Sequence, residues 1–305
     1  MERSTVIVAP VDRPAPAALL ELLKPITWFP PMWAFGCGVV SSGAAVAEQP
    51  LMLFAGVLLA GPLVCGSSQA VNDWFDRHVD AINEPGRPIP SGRVPGNWGL
   101  YLAVTWSLLS LAVGAALGPW VLGATVVGLG LAWAYSAPPL RLKLNGWWGN
   151  AAVGFSYEGL AWVTGAAVML GGNMPGWPIL LLAVLYSAGA HGIMTLNDFK
   201  SVEGDRQMGV RSIPAQLGVD RAARLAGVVM ALPQLAVIGL LVAWDRPVHA
   251  AVVGALLVAQ AAAMVRLLDD PRRLAPWYNG TGVTLYVLGM LASAFAVRAL
   301  PGGGL

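Results

Sequence analysis

Long apolar segments alternate with short or long polar connections along most of the chain. The apolar segments are about 20 residues long, the length that an α-helix needs to cross a bilayer. They lack the strict alternation of apolar and polar residues that the strands of a membrane β-barrel show. We therefore predict an all-α, polytopic membrane protein with nine transmembrane helices. The predicted spans cover residues 27–47, 51–72, 98–117, 119–136, 150–171, 177–197, 221–243, 248–268 and 277–299.

The composition agrees with this prediction. Of the 305 residues, 56% are apolar and 11% are charged, which excludes an ordinary soluble domain. A net charge of +2 gives no reason to expect a nucleic-acid partner. We predict a cytoplasmic N-terminal tail over residues 1–24, ending in a short surface helix from Ala17 to Lys24, and a single transmembrane domain over residues 25–305. Cys37 and Cys65 lie in separate apolar segments and are expected to be small buried side chains.

The basic residues predict the orientation of the chain. With nine spans, only Arg246 and Arg298 of the 18 Lys and Arg residues fall on one side of the membrane. The positive-inside rule then places the N-terminus and every long loop in the cytoplasm. The first residues have neither the apolar core of a signal peptide nor the composition of a transit peptide, which favours a bacterial inner membrane.

A polar motif follows directly on the second apolar segment. It reads Asn-Asp-Trp-Phe-Asp-Arg-His-Val-Asp over residues 72–80. If the helix continues through it, Asn72, Asp76 and Asp80 lie on one face at spacings of four residues. Three oxygen-bearing side chains stacked in this way would repel one another without a cation. Oxygen ligands favour Mg²⁺ over zinc or copper.

A second copy of this pattern follows the sixth span. Residues 197–205 read Asn-Asp-Phe-Lys-Ser-Val-Glu-Gly-Asp, so the Asn-Asp pair and the last Asp recur 125 positions later (197 − 72 and 205 − 80). Each copy is followed by a basic loop, Arg-Pro-Ile-Pro at 87–90 and Arg-Ser-Ile-Pro at 211–214. Both motifs are predicted on the same membrane face.

Acidic clusters that alternate with Lys and Arg at a membrane boundary are suited to a lipid diphosphate. Mg²⁺ would join its phosphate oxygens to the acids, and the basic residues would hold the remaining charge. The metal candidates are Asn72, Asp73, Asp76, Asp80, Asp198, Glu203 and Asp205. The diphosphate-binding candidates are Arg77, Lys143, Lys200, Arg206 and Arg211; among all of these, Asp76, Asp205 and Arg77 are expected to be catalytic. The alternative is that these residues are solvated loop ends with paired charges.

These motifs resemble those of the UbiA superfamily of intramembrane prenyltransferases, whose first motif reads NDxxDxxxD. Within the superfamily the chain is most similar to the chlorophyll and bacteriochlorophyll synthases. That likeness rests on both motifs, on Arg-Pro-Ile-Pro-Ser-Gly at 87–92, on residues 135–142 and on Asn-Gly-Trp at 145–147. The resemblance implies nine transmembrane helices, a central cavity open to lipid and two Mg²⁺ ions. Many members have an Asp where this chain has Ser201, so Ser201 is not among the metal candidates.

The same resemblance implies an acceptor pigment beside the diphosphate. Glu158 lies inside the fifth span, where an ionisable group is costly unless it is paired or functional. His191 lies seven residues before Asp198, on the same face of the predicted helix. It is either a ligand of the pigment or a hydrogen-bonded packing residue. The candidates for the acceptor cavity are Tyr135, Trp147, Glu158 and His191.

The implied reaction esterifies the propionate of (bacterio)chlorophyllide with geranylgeranyl or phytyl diphosphate and releases pyrophosphate. The implied location is a cytoplasmic or intracytoplasmic photosynthetic membrane, in contact with other pigment-biosynthesis or assembly proteins. Three alternatives remain open: a UbiA-type enzyme acting on a quinone precursor or haem, a transporter using the acids as a cation site, and a pigment-binding assembly protein without catalysis.

Overall fold

The structure is a computed structural model that describes residues 13–300, and within this range it is helical without β-strands. Fourteen α-helices follow one another in this range. They are α1 (Pro16–Leu22), α2 (Phe29–Ser41), α3 (Pro50–Leu58), α4 (Gly66–Asn83), α5 (Trp98–Leu117), α6 (Pro119–Ser136), α7 (Gly146–Gly154), α8 (Ala161–Met169), α9 (Trp177–Asn197), α10 (Val202–Gln207), α11 (Ile213–Leu217), α12 (Val219–Ala243), α13 (Pro247–Leu267) and α14 (Pro271–Val297).

Seven helical segments of the described chain are long and apolar enough to cross a bilayer. They are Pro50–Asn83, Trp98–Leu117, Pro119–Ser136, Trp177–Lys200, Val219–Ala243, Pro247–Leu267 and Pro271–Val297. These segments match seven of the nine predicted spans and confirm an all-helical, multi-pass protein. The count of nine and the cytoplasmic N-terminus stay predictions.

The two remaining predicted spans differ from the others for separate reasons. In the first, a 3₁₀ turn at Pro25–Thr27 precedes α2, which has only 13 residues. In the fifth, a continuous helical stretch runs from α7 into α8, but it carries Asn150 and Glu158 and is correspondingly less apolar. Both deviations concern segments that contribute to the cavity described below.

Two of the long helical stretches contain a π-helical segment. The first π segment is Leu59–Cys65, between α3 and α4, and it contains Pro62. The second π segment is Phe155–Leu160, between α7 and α8. A π segment inserts extra backbone into an α-helix, changes which side chains share a face, and frequently occurs at functional sites. Neither segment was predicted from the apolar pattern.

Small residues allow the helices to approach closely. A Cβ atom on Gly38 of α2 would lie 2.0 Å from the carbonyl oxygen of Trp162, and one on Gly165 of α8 would lie 2.0 Å from that of Phe35. Such close approach is typical of membrane helices, which associate through packing rather than through exclusion of water. Around this contact, Trp162 stacks on Tyr186 with ring centroids 5.7 Å apart.

The N-terminal helix α1 packs against the first acidic helix. Ala18 and Leu22 are buried in a cluster with Ala70 and Val71 of α4. The predicted surface helix over Ala17–Lys24 is thus present, with bounds Pro16–Leu22. Residues 1–12 of the predicted tail lie outside the described residues, and the boundary at residue 24 stays a prediction.

Candidate active site

A cavity of about 630 Å³ lies among α2, α4, α6, α9, α14 and the helical stretch that contains the second π segment. Its walls are mainly apolar. One end carries polar side chains that come from five different helices. These are Asn72, Tyr135, Asn150, Asn197, Asp198 and Asn279. An apolar chamber with one polar end suits a ligand that has a charged head and a hydrocarbon tail.

The first acidic motif lies on an unbroken helix, as predicted, because α4 continues through it to Asn83. Asn72 Nδ2 donates hydrogen bonds to Asp76 Oδ2 at 3.1 Å and to Ser136 Oγ at 3.2 Å. Asp76 Oδ1 lies 2.5 Å from Lys143 Nζ. Burial lowers the pKa of Lys143, and the hydrogen bond and charge of Asp76 oppose part of that shift. Asn72, Asp76 and Lys143 therefore form one connected group beside the cavity.

Asp73 and Asp80 form a separate group with other cations. Asp73 Oδ1 lies 2.6 Å from Lys24 Nζ, and Arg87 Nη1 lies 2.8 Å from Asp80 Oδ2 and 3.4 Å from Asp73 Oδ1. Arg87 also binds Glu84 through two hydrogen bonds and lowers the pKa of Glu84. The pairing of Lys24 with Asp73 spans 49 residues and has no signal in the motif itself.

The second acidic motif has a different local structure. Helix α9 ends at Asn197, a 3₁₀ turn covers Asp198–Lys200, and α10 carries Asp205. Neutral side chains hold both acids. Asn150 Nδ2 donates to Asp198 Oδ2 at 3.4 Å, and Asp205 Oδ2 accepts from Ser201 Oγ at 3.1 Å and from Ser212 Oγ at 2.6 Å. Within residues 13–300, no Lys or Arg forms an ion pair with Asp198 or Asp205.

The loop between α6 and α7 connects the two motifs. Its Lys143 contacts Asp76, while its backbone pairs with Arg211 in the second basic loop. The Arg211 N–H donates to the Leu144 carbonyl at 2.9 Å, and the Gly146 N–H donates to the Arg211 carbonyl at 2.8 Å. A Cβ on Gly146 would lie 2.6 Å from the Ile213 nitrogen, so this contact requires glycine. Both acidic motifs therefore lie at the same end of the helix bundle, as predicted.

The predicted diphosphate-binding residues occupy different environments. The Arg77 guanidinium lies 4.1 Å from the centroid of the Trp74 ring and donates to the Trp74 carbonyl at 2.6 Å. Lys200, Arg206 and Arg211 have exposed side chains. Of the five candidates, only Lys143 forms an ion pair with a motif carboxylate within the described chain.

Glu203, predicted as a metal candidate, lies on the outside of the second motif. Its carboxylate lies 2.7 Å from the Arg272 guanidinium, and both side chains are exposed. The hydrogen bond from Arg272 lowers the pKa of Glu203. Glu203 therefore already has a cationic partner on the protein surface.

Two of the four candidates for the acceptor cavity line it, namely Tyr135 and Glu158. His191 and Trp147 are not part of its wall. Instead, His191 Nε2 hydrogen-bonds to the Trp147 carbonyl oxygen at 3.2 Å, and the two rings lie 5.9 Å apart. His191 thus has a hydrogen bond of the kind expected of a packing histidine, and a role as a ligand of the pigment stays a prediction.

The donor set fits magnesium held partly by a ligand. Within residues 13–300, no three His, Cys, Asp or Glu side chains are close enough to form a metal site alone. The polar end of the cavity nevertheless presents oxygen donors from both motifs, and Asn279 Oδ1 is buried there without a hydrogen-bond partner. Mg²⁺ commonly takes one or two carboxylates and completes its shell with water and substrate phosphates.

This combination of a helical bundle, an apolar chamber and two acidic motifs defines an intramembrane prenyltransferase. The UbiA prenyltransferase family profile matches residues 28–297, and the chain belongs to this family. The chain is 61% identical to the bacteriochlorophyll synthase 33 kDa chain of Cereibacter sphaeroides, over 95% of this chain and 96% of that protein. It is 57% identical to the Rhodobacter capsulatus protein of the same name, over 93% and 94% of the two chains.

Solved structures support the fold. A UbiA homolog from Archaeoglobus fulgidus, bound to GPP and Mg²⁺, superposes with a TM-score of 0.72 at 18% identity, covering 93% of this chain and all of that one. The predicted family, the likeness to bacteriochlorophyll synthases and the assignment as a prenyltransferase are confirmed. Family membership favours the enzyme over the transporter and the non-catalytic assembly protein.

Proposed function

We propose that this protein transfers a geranylgeranyl or phytyl group from its diphosphate to the propionate of (bacterio)chlorophyllide and releases pyrophosphate. The proposal places it in a bacterial inner or intracytoplasmic photosynthetic membrane, with its active site on the cytoplasmic side. The observation that carries it is the apolar cavity whose polar end holds Asn72 of the first motif and Asp198 of the second. The similarity to bacteriochlorophyll synthases supplies the acceptor.

The donor diphosphate binds at the polar end in this proposal, with its prenyl chain along the apolar walls. Asn72 and Asp76 from the first motif and Asp198 and Asp205 from the second would hold Mg²⁺, in two ions by the family resemblance. When bound, Mg²⁺ neutralises the charge that develops on the departing pyrophosphate. Lys143 supplies a fixed positive charge at the same end, because Asp76 holds its ammonium group in place.

Neighbouring side chains orient the proposed ligands before substrate binds. Asn150 fixes one oxygen of Asp198, and Ser201 and Ser212 fix one oxygen of Asp205. Each carboxylate keeps its second oxygen for a cation. Such partners of metal ligands typically contribute about 10- to 100-fold to metal affinity or activity.

The acceptor needs little activation in this reaction. A propionate is an anion at neutral pH, so no strong general base has to remove a proton. The apolar walls exclude water, which would otherwise capture the allylic cation that forms when the C–O bond breaks. Prenylation of an aromatic ring, by contrast, requires a base that removes a ring proton. Esterification of a carboxylate has no such step.

Product identification tests this function. Membranes containing the protein would be incubated with Mg²⁺, labelled geranylgeranyl diphosphate and, in separate reactions, bacteriochlorophyllide, chlorophyllide or 4-hydroxybenzoate. We expect a labelled pigment ester with the mass of the prenylated acceptor and no labelled benzoate product. Labelled 4-hydroxybenzoate with no pigment ester would overturn the proposal and favour a quinone-precursor substrate. Phytyl diphosphate in the same assay determines the donor preference.

A further inference from the structure

The cavity contains an ionisable side chain that the proposed mechanism does not use. Glu158 lines the cavity, is only 6% exposed, and its Oε2 atom has no hydrogen-bond partner among the described residues. No Lys, Arg or His of residues 13–300 forms an ion pair with it. A buried polar group without a partner costs about 1–3 kcal/mol, so such a group indicates a ligand or a bound water.

Glu158 lies far from the polar end of the cavity. It follows Asn150, the partner of Asp198, by eight residues (158 − 150) along one continuous helical stretch. At about 1.5 Å of rise per residue in its α-helical part, and less in its π-helical part, this places Glu158 at most roughly 12 Å from Asn150 along the helix axis. Glu158 is one of the six residues of the second π segment.

Two polar side chains near Glu158 in the cavity wall already have partners. Tyr157, the preceding residue, accepts hydrogen bonds from Gln69 Nε2 at 3.0 Å and from Cys65 Sγ at 3.3 Å. Thr164, also in the wall, donates to the Leu160 carbonyl at 2.6 Å. Glu158 therefore differs from these two residues, because its buried Oε2 atom has no partner among the described residues.

The chemistry of the two substrates identifies which one meets this group. A prenyl chain is a hydrocarbon and can neither donate nor accept a hydrogen bond, so it would leave the carboxyl group unsatisfied. A (bacterio)chlorophyllide ring carries keto and ester carbonyl oxygens on its edge. An ionised carboxylate is strongly disfavoured in an apolar chamber without a cation, whereas a carboxylic acid there can donate a hydrogen bond.

We propose that Glu158 binds the acceptor by donating a hydrogen bond from its carboxyl group to a peripheral carbonyl oxygen of the tetrapyrrole ring. This inference rests on the proposed function and adds to it a residue that recognises the ring rather than the propionate. In consequence the ring occupies the deep part of the cavity, while its propionate points toward the diphosphate.

Kinetics with Glu158→Leu and Glu158→Gln test the proposal, using bacteriochlorophyllide and geranylgeranyl diphosphate. We expect Glu158→Leu to raise the KM for bacteriochlorophyllide about tenfold, the effect of losing one hydrogen bond to a buried partner. The KM for the diphosphate stays within about twofold, since Glu158 lies away from that site. Glu158→Gln retains a donor and stays within about threefold of the wild type for both substrates.

Ser187→Ala is the matched control. Ser187 is buried on α9 against Gly159 of the same π segment, donates its hydroxyl to the Ala183 carbonyl at 2.7 Å, and does not line the cavity. We expect its KM for bacteriochlorophyllide to equal that of the wild type. For Glu158→Leu, an equal rise in the KM values for both substrates, or an unchanged KM for bacteriochlorophyllide, would overturn the proposal. A Glu158→Gln variant that is as impaired as Glu158→Leu would also overturn it.

Resonance Raman spectra of bound bacteriochlorophyllide, recorded without donor, give a second readout. A hydrogen-bonded carbonyl has a lower stretching frequency, and we expect that shift in the wild type and its loss in Glu158→Leu. Identical spectra for the two proteins would contradict the proposal. Failure of the proposed function is a separate result, because the wild type would then form no pigment ester.

Discussion

The two acidic motifs are close copies in sequence but differ in what neutralises their charge. The first lies on the continuous helix α4, and Lys24, Arg87 and Lys143 pair with its three Asp side chains. The second lies on a 3₁₀ turn and the short helix α10, and neutral Asn and Ser side chains hold its two Asp side chains, while its Glu203 pairs with Arg272 at the surface. Cations of the protein therefore compensate all three Asp side chains of the first motif, while Asp198 and Asp205 of the second have no ion pair within the described chain. We infer that the second motif contributes more to Mg²⁺ affinity.

The largest effect is expected from Asp198→Asn. This change removes a carboxylate that has no cationic partner in the described chain and faces the cavity. We expect prenyl transfer to fall by more than about 100-fold, beyond the ~10–100-fold loss from residues that only orient a ligand. Pigment ester formation at saturating Mg²⁺ measures this effect.

The matched control for Asp198→Asn is Asp269→Asn, which alters an exposed acid between α13 and α14. Its activity should equal that of the wild type. Because Asp76 is already paired with Lys143, Asp76→Asn should raise the Mg²⁺ requirement less than Asp198→Asn does. A larger rise in the Mg²⁺ requirement for Asp76→Asn than for Asp198→Asn would contradict the inference that the second motif contributes more to Mg²⁺ affinity.

A change in the partner of Asp205 should have the next largest effect. Ser212→Ala removes the 2.6 Å hydrogen bond that orients this carboxylate. We expect the Mg²⁺ concentration for half-maximal activity to rise by about 10- to 100-fold, as for other residues that orient metal ligands. EDTA treatment followed by Mg²⁺ titration gives this value. Ser91→Ala, in the first basic loop, is the control, because Ser91 contacts Pro88 and Arg93 rather than an acid.

Lys143→Met tests the cation that belongs to the first motif. We expect the KM for geranylgeranyl diphosphate to rise at least about tenfold, since a hydrogen bond to a charged group contributes about 1.5–3 kcal/mol net and about 1.4 kcal/mol corresponds to tenfold. Lys200→Met should have a smaller effect because Lys200 is exposed. A larger effect at Lys200 would show that the second motif supplies the main diphosphate-binding charge.

The smallest effect is expected from Glu203→Gln. The sequence pattern makes Glu203 a metal candidate, but its carboxylate pairs with Arg272 at the surface. We expect the activity and the Mg²⁺ requirement to stay within about twofold of the wild type, because exposed ion pairs have weak effects. A requirement raised as strongly as in Asp198→Asn would restore Glu203 as a ligand and weaken the distinction between the motifs.

The sequence alone predicts the features that depend on local pattern. Apolar length predicts the membrane class, and spacing along one helix predicts that α4 presents Asn72 and Asp76 as neighbours. The repeat of the motif, together with the alternation of spans, predicts that both motifs share one end of the bundle. These features need no knowledge of which helices touch.

The features that depend on tertiary contact are not predictable in this way. The pairing of Lys24 with Asp73 and of Asn150 with Asp198 joins residues 49 and 48 positions apart. The second π segment packs against α2 and α9, and nothing in apolar length signals either π segment. Arg77 is a local exception: it follows directly on Asp76, yet it stacks on Trp74, because residues three positions apart on a helix are neighbours and consecutive residues are not.

The backbone pairing between Asn145 and Arg211 has a mechanical consequence. Two backbone hydrogen bonds link the segment that carries Lys143 to the loop of Ser212, and Ser212 in turn donates a hydrogen bond to Asp205. If the diphosphate of an incoming donor binds Lys143 as proposed, its pull on Lys143 would pass to the loop of Ser212 through these main-chain bonds. We expect both halves to tighten around the donor in one concerted movement, rather than one after the other.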